Sequence, residues 1–432
     1  MGGGLAGCEA AWQLASRGIA VRVLEMKPGQ RSPAHVSDDL AELVCSNSLG
    51  SDAGTTAGGL LKAELREMGS IVMRCAEECR VPAGGALAVD RARFARAVTE
   101  AVTSQGLVEV RQETVERVPE GPVVIVATGP MTAPPFADDL ATVLDPGGGN
   151  AGLHYWDAIS PIVEADSVDE EKSFTASRWE EGDGDYVNCP MDEAGYRAFV
   201  RGVKEAEKVA LAEFEEERYY EGCLPIEVLA ERGDDTLAFG PLKPAGLVDP
   251  ATGRRPFAVL QLRREDLQGS AYNLVGCQTR MTQAEQRRVF RMVPALAEAR
   301  FMRYGQIHRN TFVDSPRLLG PMLESRARPG LFVAGQLCGV EGYTESTAAG
   351  LIAAIAAARR ARGLEPPEPP PGTTMCGGLL GHVAAGAPFQ PSGAIWGLVP
   401  PGQGRGRRDR RRAAFERGVR DIRTWITEEN IS

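Results

Sequence analysis

The chain carries only four histidines and no H-x-x-x-H pair, and its nine cysteines include no C-x-x-C. Neither a zinc ribbon nor a disulfide scaffold is implied, and no metal site is expected. No apolar run reaches the ~20 residues that span a bilayer, and no charged-then-apolar signal segment precedes the fold. Met1-Gly2 invites a myristoylation reading, but Ala6 stands where that signal requires serine or threonine. A reduced, cytoplasmic protein with no membrane partner is the expectation. Positive charge is also in deficit. A net charge of −10 argues against indiscriminate coating of DNA, although local patches, not totals, set phosphate binding.

What is present is ordinary in bulk and informative in detail. The 432 residues are 43% hydrophobic and 25% charged, enough for roughly two to three domains with a sizeable core. The first residues read Met1-Gly2-Gly3-Gly4-Leu5-Ala6-Gly7, a G-x-G-x-x-G on Gly2, Gly4 and Gly7. Such glycines let the backbone turn from a strand into a helix while approaching a pyrophosphate held at the helix N-terminus. Alone the motif is weak. It gains weight from the strand Ile19 to Leu24, which ends on Glu25, an acid at the distance suited to a ribose hydroxyl. No strand stands before the glycines, and Met1 takes the place of that strand's last residue. The expressed chain is therefore expected to start upstream.

Further along, Met26 to Gly58 is a long irregular stretch rich in Gly, Ser, Pro and Asp, of the kind that carries function. Leu61, Leu65, Met68, Val72, Cys75 and Cys79 share one helical face and predict a single continuous helix, with both cysteines as core residues. Val123 to Ala127 reads as a buried parallel strand running into Thr128-Gly129-Pro130. Gly330 to Gly335 is a second short strand, followed by a loop through Glu341, Gly342 and Tyr343 and an alanine-rich helix from Ser346 to Ala361. That helix can point its N-terminal dipole at a partly anionic ring. Gly-rich elements at both ends, enclosing an insertion, favour FAD over free NAD. The expectation is an α/β protein, a Rossmann-like FAD-binding domain lacking its first strand, with an inserted α+β domain. Its boundaries are drawn at 1–174, 175–306 and 307–362, with a Pro-rich linker and basic C-terminal region at 363–432. In that last region nine arginines from Arg405 to Arg423 surround Phe415, Val419, Ile422 and Ile426, whose spacing predicts a docked helix with its arginines outward. Contact with nucleic acid and a merely solvated face weigh equally there.

Several blocks resemble one family. They are Pro33-Ala34-His35, Ala41 to Leu49, Pro82 to Arg91, Glu221 to Pro225, Phe239 to Pro244, Gly246 to Pro250, His308 to Thr311, Val340 to Tyr343 and the Trp396 segment. In this order they resemble the folate-dependent tRNA uridine methyltransferases called TrmFO, across nearly the whole chain. The resemblance implies an enzyme that makes 5-methyluridine in the T-loop of tRNA. Its carbon would come from 5,10-methylenetetrahydrofolate, and its reducing equivalents from NADH or NADPH through FAD.

The family's two cysteines match Cys45 and Cys223. A thiolate is suited to adding at uracil carbon 6 and leaving again. Cys223 is assigned as that nucleophile, and Cys45 as the residue that guards the flavin side or removes the carbon-5 proton. No charge near either in sequence would activate a thiol, so activation must come from the fold. The FAD site is expected on Gly2, Gly3, Gly4, Leu5, Ala6, Gly7, Glu25, Gly129, Gly335, Glu341, Gly342 and Tyr343. His308, Arg309 and Asn310 are expected to hold the pterin by stacking and a planar hydrogen-bonding fork. Lys243, with Arg263 and Arg264, is expected to meet tRNA phosphates. Asp90 and Arg91 read as an ion pair beside the Gly84-Gly85 turn. Three alternatives compete: the related flavoprotein that modifies wobble uridines, a small-molecule FAD oxidoreductase, and a non-enzymatic tRNA-binding flavoprotein that acts only as a chaperone.

Overall fold

Gly4 is the N-cap of the helix Leu5–Ser16, which buries Leu5, Ala6, Ala10, Ala11 and Leu14. In this computed structural model, which describes residues 1–32, 34–148, 152–178, 184–209, 224–385 and 389–431, that face meets the helix Tyr343–Ala361. The two backbones touch: a Cβ on Gly350 would stand 2.3 Å from the Ala6 carbonyl oxygen, so only glycine fits. Around this helix pair lie two short parallel strand pairs, Val21–Glu25 with Val108–Gln112 and Leu331–Val333 with Val124–Val126. The expected α/β, Rossmann-type arrangement is the one found.

Met1 and Gly2 bridge the two strand pairs. The terminal amine donates to the Ile125 carbonyl at 2.9 Å, Ala127 N–H to Met1 at 2.9 Å, and Gly2 N–H to Leu24 at 2.9 Å. Beyond Met1 the pairs face each other across an apolar cavity of about 350 Å3, bordered by Leu14, Val21, Val23 and Ile125.

A second sheet is antiparallel and six strands wide. Its order is Phe301–Arg303, Ile162–Glu164, Ala271–Leu274, Ala258–Arg264, Tyr186–Met191 and Phe174–Thr175. The helices Glu193–Glu205 and Gln283–Phe290 contribute Tyr196, Phe199 and Phe290 to its separate core. The antiparallel pair Gly152–Ala158 and Ile307–Val313 lies, in sequence, on either side of this sheet.

The single helix predicted from Leu61 to Cys79 is two helices, Ala57–Glu67 and Ile71–Glu78. Gly69 turns the chain at φ +71, and Ser70 caps the second helix by accepting the Met73 N–H at 3.2 Å. The apolar stripe survives the break, since Leu61, Leu65, Met68, Val72, Cys75 and Cys79 are all buried. Burial pushes the Cys75 thiol up to about 12, which suits a core residue and not a nucleophile.

Buried acids fasten helix starts. Glu9 accepts the Ser70 hydroxyl at 2.7 Å and the Val72 N–H at 3.1 Å. Glu64 accepts the N–H groups of Met375 and Cys376, at 2.6 and 2.8 Å, opening the helix Met375–Val383. Burial outweighs those two bonds and raises the Glu64 carboxyl to about 7. The folded state then holds this proton more tightly than the unfolded state does. Its contribution to stability is therefore full below pH 4.5 and is lost as pH rises towards 7. Glu64→Gln should remove that slope. The difference in unfolding free energy between wild type and variant is expected to change by a few kcal/mol between pH 4.5 and 7, measured by urea titration at each pH. A constant difference across that range contradicts the assignment.

The arginine-rich helix spans Arg407–Glu428 and packs on Ala57–Glu67. Its buried line is Ala414, Gly418, Ile422 and Trp425, with the predicted Phe415, Val419 and Ile426 flanking it. Gly418 sets this register: a Cβ there would lie 2.9 Å from the Leu60 side chain.

Candidate functional site

The glycine turn builds one end of a cleft. Gly2 has φ +88 and its Cβ would sit 2.5 Å from the Ala127 carbonyl oxygen; a Cβ on Gly7 would sit 1.9 Å from the Gly2 oxygen. Gly4, by contrast, faces open space, with nothing within 4 Å of a Cβ. The helix that follows has no side-chain cap, and its first intrahelical donor is Cys8 N–H to Gly4, so the N–H groups of Leu5 and Ala6 remain for a ligand. Glu25 closes this end, accepting the Gly3 N–H at 2.6 Å and the Lys27 N–H at 3.0 Å. An uncapped helix start, a glycine cradle and a buried acid are what a dinucleotide requires, and these residues fit FAD.

Of the residues expected to hold FAD, Gly2, Gly3, Gly4, Leu5 and Ala6 border this cleft, joined by Glu25 and Gly129. Gly335 and Tyr343 reach it from the carboxyl-terminal part of the chain. Gly7, Glu341 and Gly342 are not on its wall. Gly7 lies beneath the Gly2 carbonyl, and Gly342, at φ +119, is covered by the Glu345 carboxylate. Glu341 is buried, accepting from Gln336 Nε2 at 2.7 Å and donating its N–H to Ser392. The cleft also takes residues that pattern reading missed, including His35, Glu42, Val44, Met131 and Gln336. Burial and the nearby Lys27 ammonium lower the His35 pKa, so its ring is neutral at pH 7. A larger cavity of about 740 Å3 adjoins at Met26 and Met131 to Ala133, and extends to Gln286 and Ile307.

Cys45 lies on the loop after Val44. Its N–H donates to Tyr343 Oη at 2.7 Å, and the next N–H, of Ser46, reaches the same oxygen at 3.2 Å. Tyr343 begins the long helix, so the loop is tied to the helix end that borders the cleft. Three arginines close on the same loop. Arg91 donates to the Leu43 carbonyl and, at 2.8 Å, to Glu265. Arg263 gives its Nε–H to Asn47 Oδ1 at 2.8 Å, and Arg303 donates to the Ala34 carbonyl at 3.2 Å. The fold thus gathers three arginines, distant from one another in sequence, on the segment that carries Cys45. The expected Asp90–Arg91 ion pair is not formed: Asp90 caps a helix by accepting the Arg93 N–H at 3.0 Å, and Arg91 pairs with Glu265.

Cys223 lies outside the described residues. The strand Ile307–Val313 places the backbone of His308 and Arg309 opposite Asp157 and Trp156. Asn310 is buried with its amide nitrogen unpartnered among the described residues, while the adjacent Thr311 N–H donates at 2.8 Å to Pro130, a cleft residue. An orphaned buried donor beside a cleft is costly unless a ligand meets it. Lys243 is elsewhere, in a surface cavity with Arg197, Phe239 and Arg255. Among the described residues no group of three or more His, Cys, Asp or Glu side chains could hold a metal ion. No helix in the described residues is long and apolar enough to cross a membrane.

The family described as GIDA, glucose inhibited division protein A, matches residues 1–365. A protein of Anaeromyxobacter sp. (strain Fw109-5) named methylenetetrahydrofolate–tRNA-(uracil-5-)-methyltransferase TrmFO is 55% identical over 99% of this chain and 95% of its own length. Its namesake from Desulforudis audaxviator (strain MP104C) is 50% identical over 99% and 98%. Among solved structures, Aquifex aeolicus GidA in its form I crystal superposes with a TM-score of 0.69, covering 99% of this chain and 77% of that one. At 16% identity, that likeness concerns the fold.

Proposed function

This chain belongs to the GidA family and, within it, to the TrmFO methyltransferases, and we propose from that premise that it makes 5-methyluridine in the T-loop of tRNA. Methylenetetrahydrofolate donates the carbon and NADH or NADPH the reducing equivalents. In balance, carbon 5 of uracil loses a proton and gains the methylene, both carbon–nitrogen bonds to the folate break as its nitrogens take up protons and tetrahydrofolate leaves, and a hydride from the nicotinamide completes the methyl group. FAD, when bound, supplies the relay for that hydride. Full-length relatives at 50–55% identity disfavour the wobble-uridine and small-molecule oxidoreductase readings.

The chain's own residues divide the remaining work. Gly2 to Ala6 and Glu25 hold the dinucleotide, and Asn310, with His308 and Arg309, receives the pterin. A thiolate from Cys223 adds to uracil carbon 6, which makes carbon 5 nucleophilic. Cys45 takes the carbon-5 proton. The observation that supports this reading is the tie from Cys45 and Ser46 N–H to Tyr343 Oη, since Tyr343 and Val44, the residue before Cys45, both line the dinucleotide cleft. Undermodified tRNA incubated with the protein, labelled methylenetetrahydrofolate and NADPH should acquire label in 5-methyluridine. Label confined to free folate would overturn the reading.

The partner's phosphates need a cationic face. Arg407, Arg408, Arg410 and Arg412 are exposed on the arginine-rich helix, with no side-chain partner among the described residues. Replacing all four by glutamine should reduce the slope of log affinity for tRNA against log salt by roughly 3–3.5. An unchanged slope in a filter-binding titration would assign these arginines to solvent.

A further inference from the structure

The arginine cluster at Cys45 holds more positive charge than its own structure uses. Arg263 is 7% exposed, and its only hydrogen bond among the described residues runs from Nε to Asn47 Oδ1. Asn47 is fully buried, and its amide nitrogen is spent on the carbonyls of Val89 and Arg264, at 2.9 and 2.8 Å. That fixes the amide's orientation and locks Arg263 at Nε, leaving both terminal nitrogens free. Arg303 likewise has a single bond, to the Ala34 carbonyl. Glu265 binds Arg91 through Oε2 and keeps Oε1 unpartnered among the described residues, and Glu42 faces Lys27 at 3.7 Å. One carboxylate is thus shared among three guanidinium groups, and neither Arg263 nor Arg303 forms an ion pair among the described residues. Burial opposes the charge of both, and for the buried Arg263 that cost stands until an anion arrives.

We propose that Arg263 and Arg303 seat a phosphate of the nucleotide whose base reacts at Cys45. This rests on the reading that the substrate is a uridine in RNA. A uridine within a strand brings a phosphate on each side of its ribose, so any residue that meets the base meets an oxyanion close by. Planar guanidinium forks with free terminal nitrogens match phosphate oxygens in pairs. Asn47 sets the aim of Arg263, and it lies two residues from Cys45, so base and phosphate are registered on one short loop. The cluster thereby selects a nucleotide over a free base.

The test uses the FAD-loaded protein and follows alkylation of Cys45 by iodoacetamide, resolved by peptide mass spectrometry. Uridine 3′-monophosphate or 5′-monophosphate should protect Cys45 at a concentration at least tenfold lower than uridine. Arg263→Gln and Arg303→Gln, each retaining the flavin band, should shrink that gap to less than threefold, and Arg263→Lys should restore part of it. Equal protection by uridine and its phosphates overturns the seat, as does a gap unchanged in both glutamine variants. Protection by p-aminobenzoylglutamate that depends on Arg263 also overturns it, assigning the cluster to the carboxylates of the folate tail. Transfer of label to tRNA by wild type, without a phosphate advantage, removes the seat and leaves the function. A phosphate advantage without any transfer of label removes the function and leaves the seat.

Discussion

Gly7→Ala is expected to give a colourless protein. The added methyl would stand 1.9 Å from the Gly2 carbonyl oxygen, a backbone atom with no rotamer to yield. Gly2 cannot retreat cheaply, because its N–H is bonded to Leu24 and its φ of +88 is already in the region that favours glycine. Relief must displace Gly2 to Gly4, which are the wall of the cleft. Overpacking of this kind costs about 1–3 kcal/mol or more, so thermal stability should fall together with the flavin absorption band. Gly4→Ala separates the two effects. Nothing lies within 4 Å of its Cβ, so the unloaded protein should keep its melting temperature while FAD affinity drops at least about tenfold, the methyl filling ligand space. A yellow Gly7→Ala protein would place the dinucleotide somewhere other than this turn.

The glycine turn was legible in sequence because its logic is local. Gly2, Gly4, Gly7 and Glu25 are all set by one strand-to-helix turn and the strand that follows. The arginine cluster was not legible. Arg91 starts a helix, Arg263 lies on the strand Ala258–Arg264 and Arg303 on Phe301–Arg303, and only the packing of the second sheet against the Cys45 loop brings them together. Adjacent charges misled for a related reason. Asp90 and Arg91 are neighbours along the chain, but an aspartate before a helix is used first by the unpaired N–H groups of that helix. The break at Gly69 and Ser70 was hidden because the apolar period continues across it. On the arginine-rich helix, hydropathy marked Phe415 and Val419, whereas the seam runs on Ala414 and Gly418, whose value lies in being small. Signals carried by residue type alone survived; those carried by size or by distant pairing did not.

Cys45→Ala should lower transfer of label to tRNA by about 10²–10⁴-fold, the range for loss of a positioned proton acceptor, while leaving the flavin band in place. Flavin retention is expected because the contacts that bind Cys45 to the helix Tyr343–Ala361 come from backbone N–H groups, which alanine keeps. Cys223→Ala should be at least as severe, since without addition at carbon 6 the uracil is not a nucleophile. The two variants part company on tRNA carrying 5-fluorouridine at the target position. Fluorine replaces the proton that must leave, so turnover stalls with the thiol still bonded to carbon 6. If Cys223 is the nucleophile, Cys45→Ala should still form that covalent protein–RNA species on a denaturing gel and Cys223→Ala should not. The reverse pattern would exchange the two roles. Loss of the species in neither variant would move the nucleophile to another residue, and the reason for a cysteine next to the cleft residue Val44 would have to be sought in protection of the bound cofactor alone.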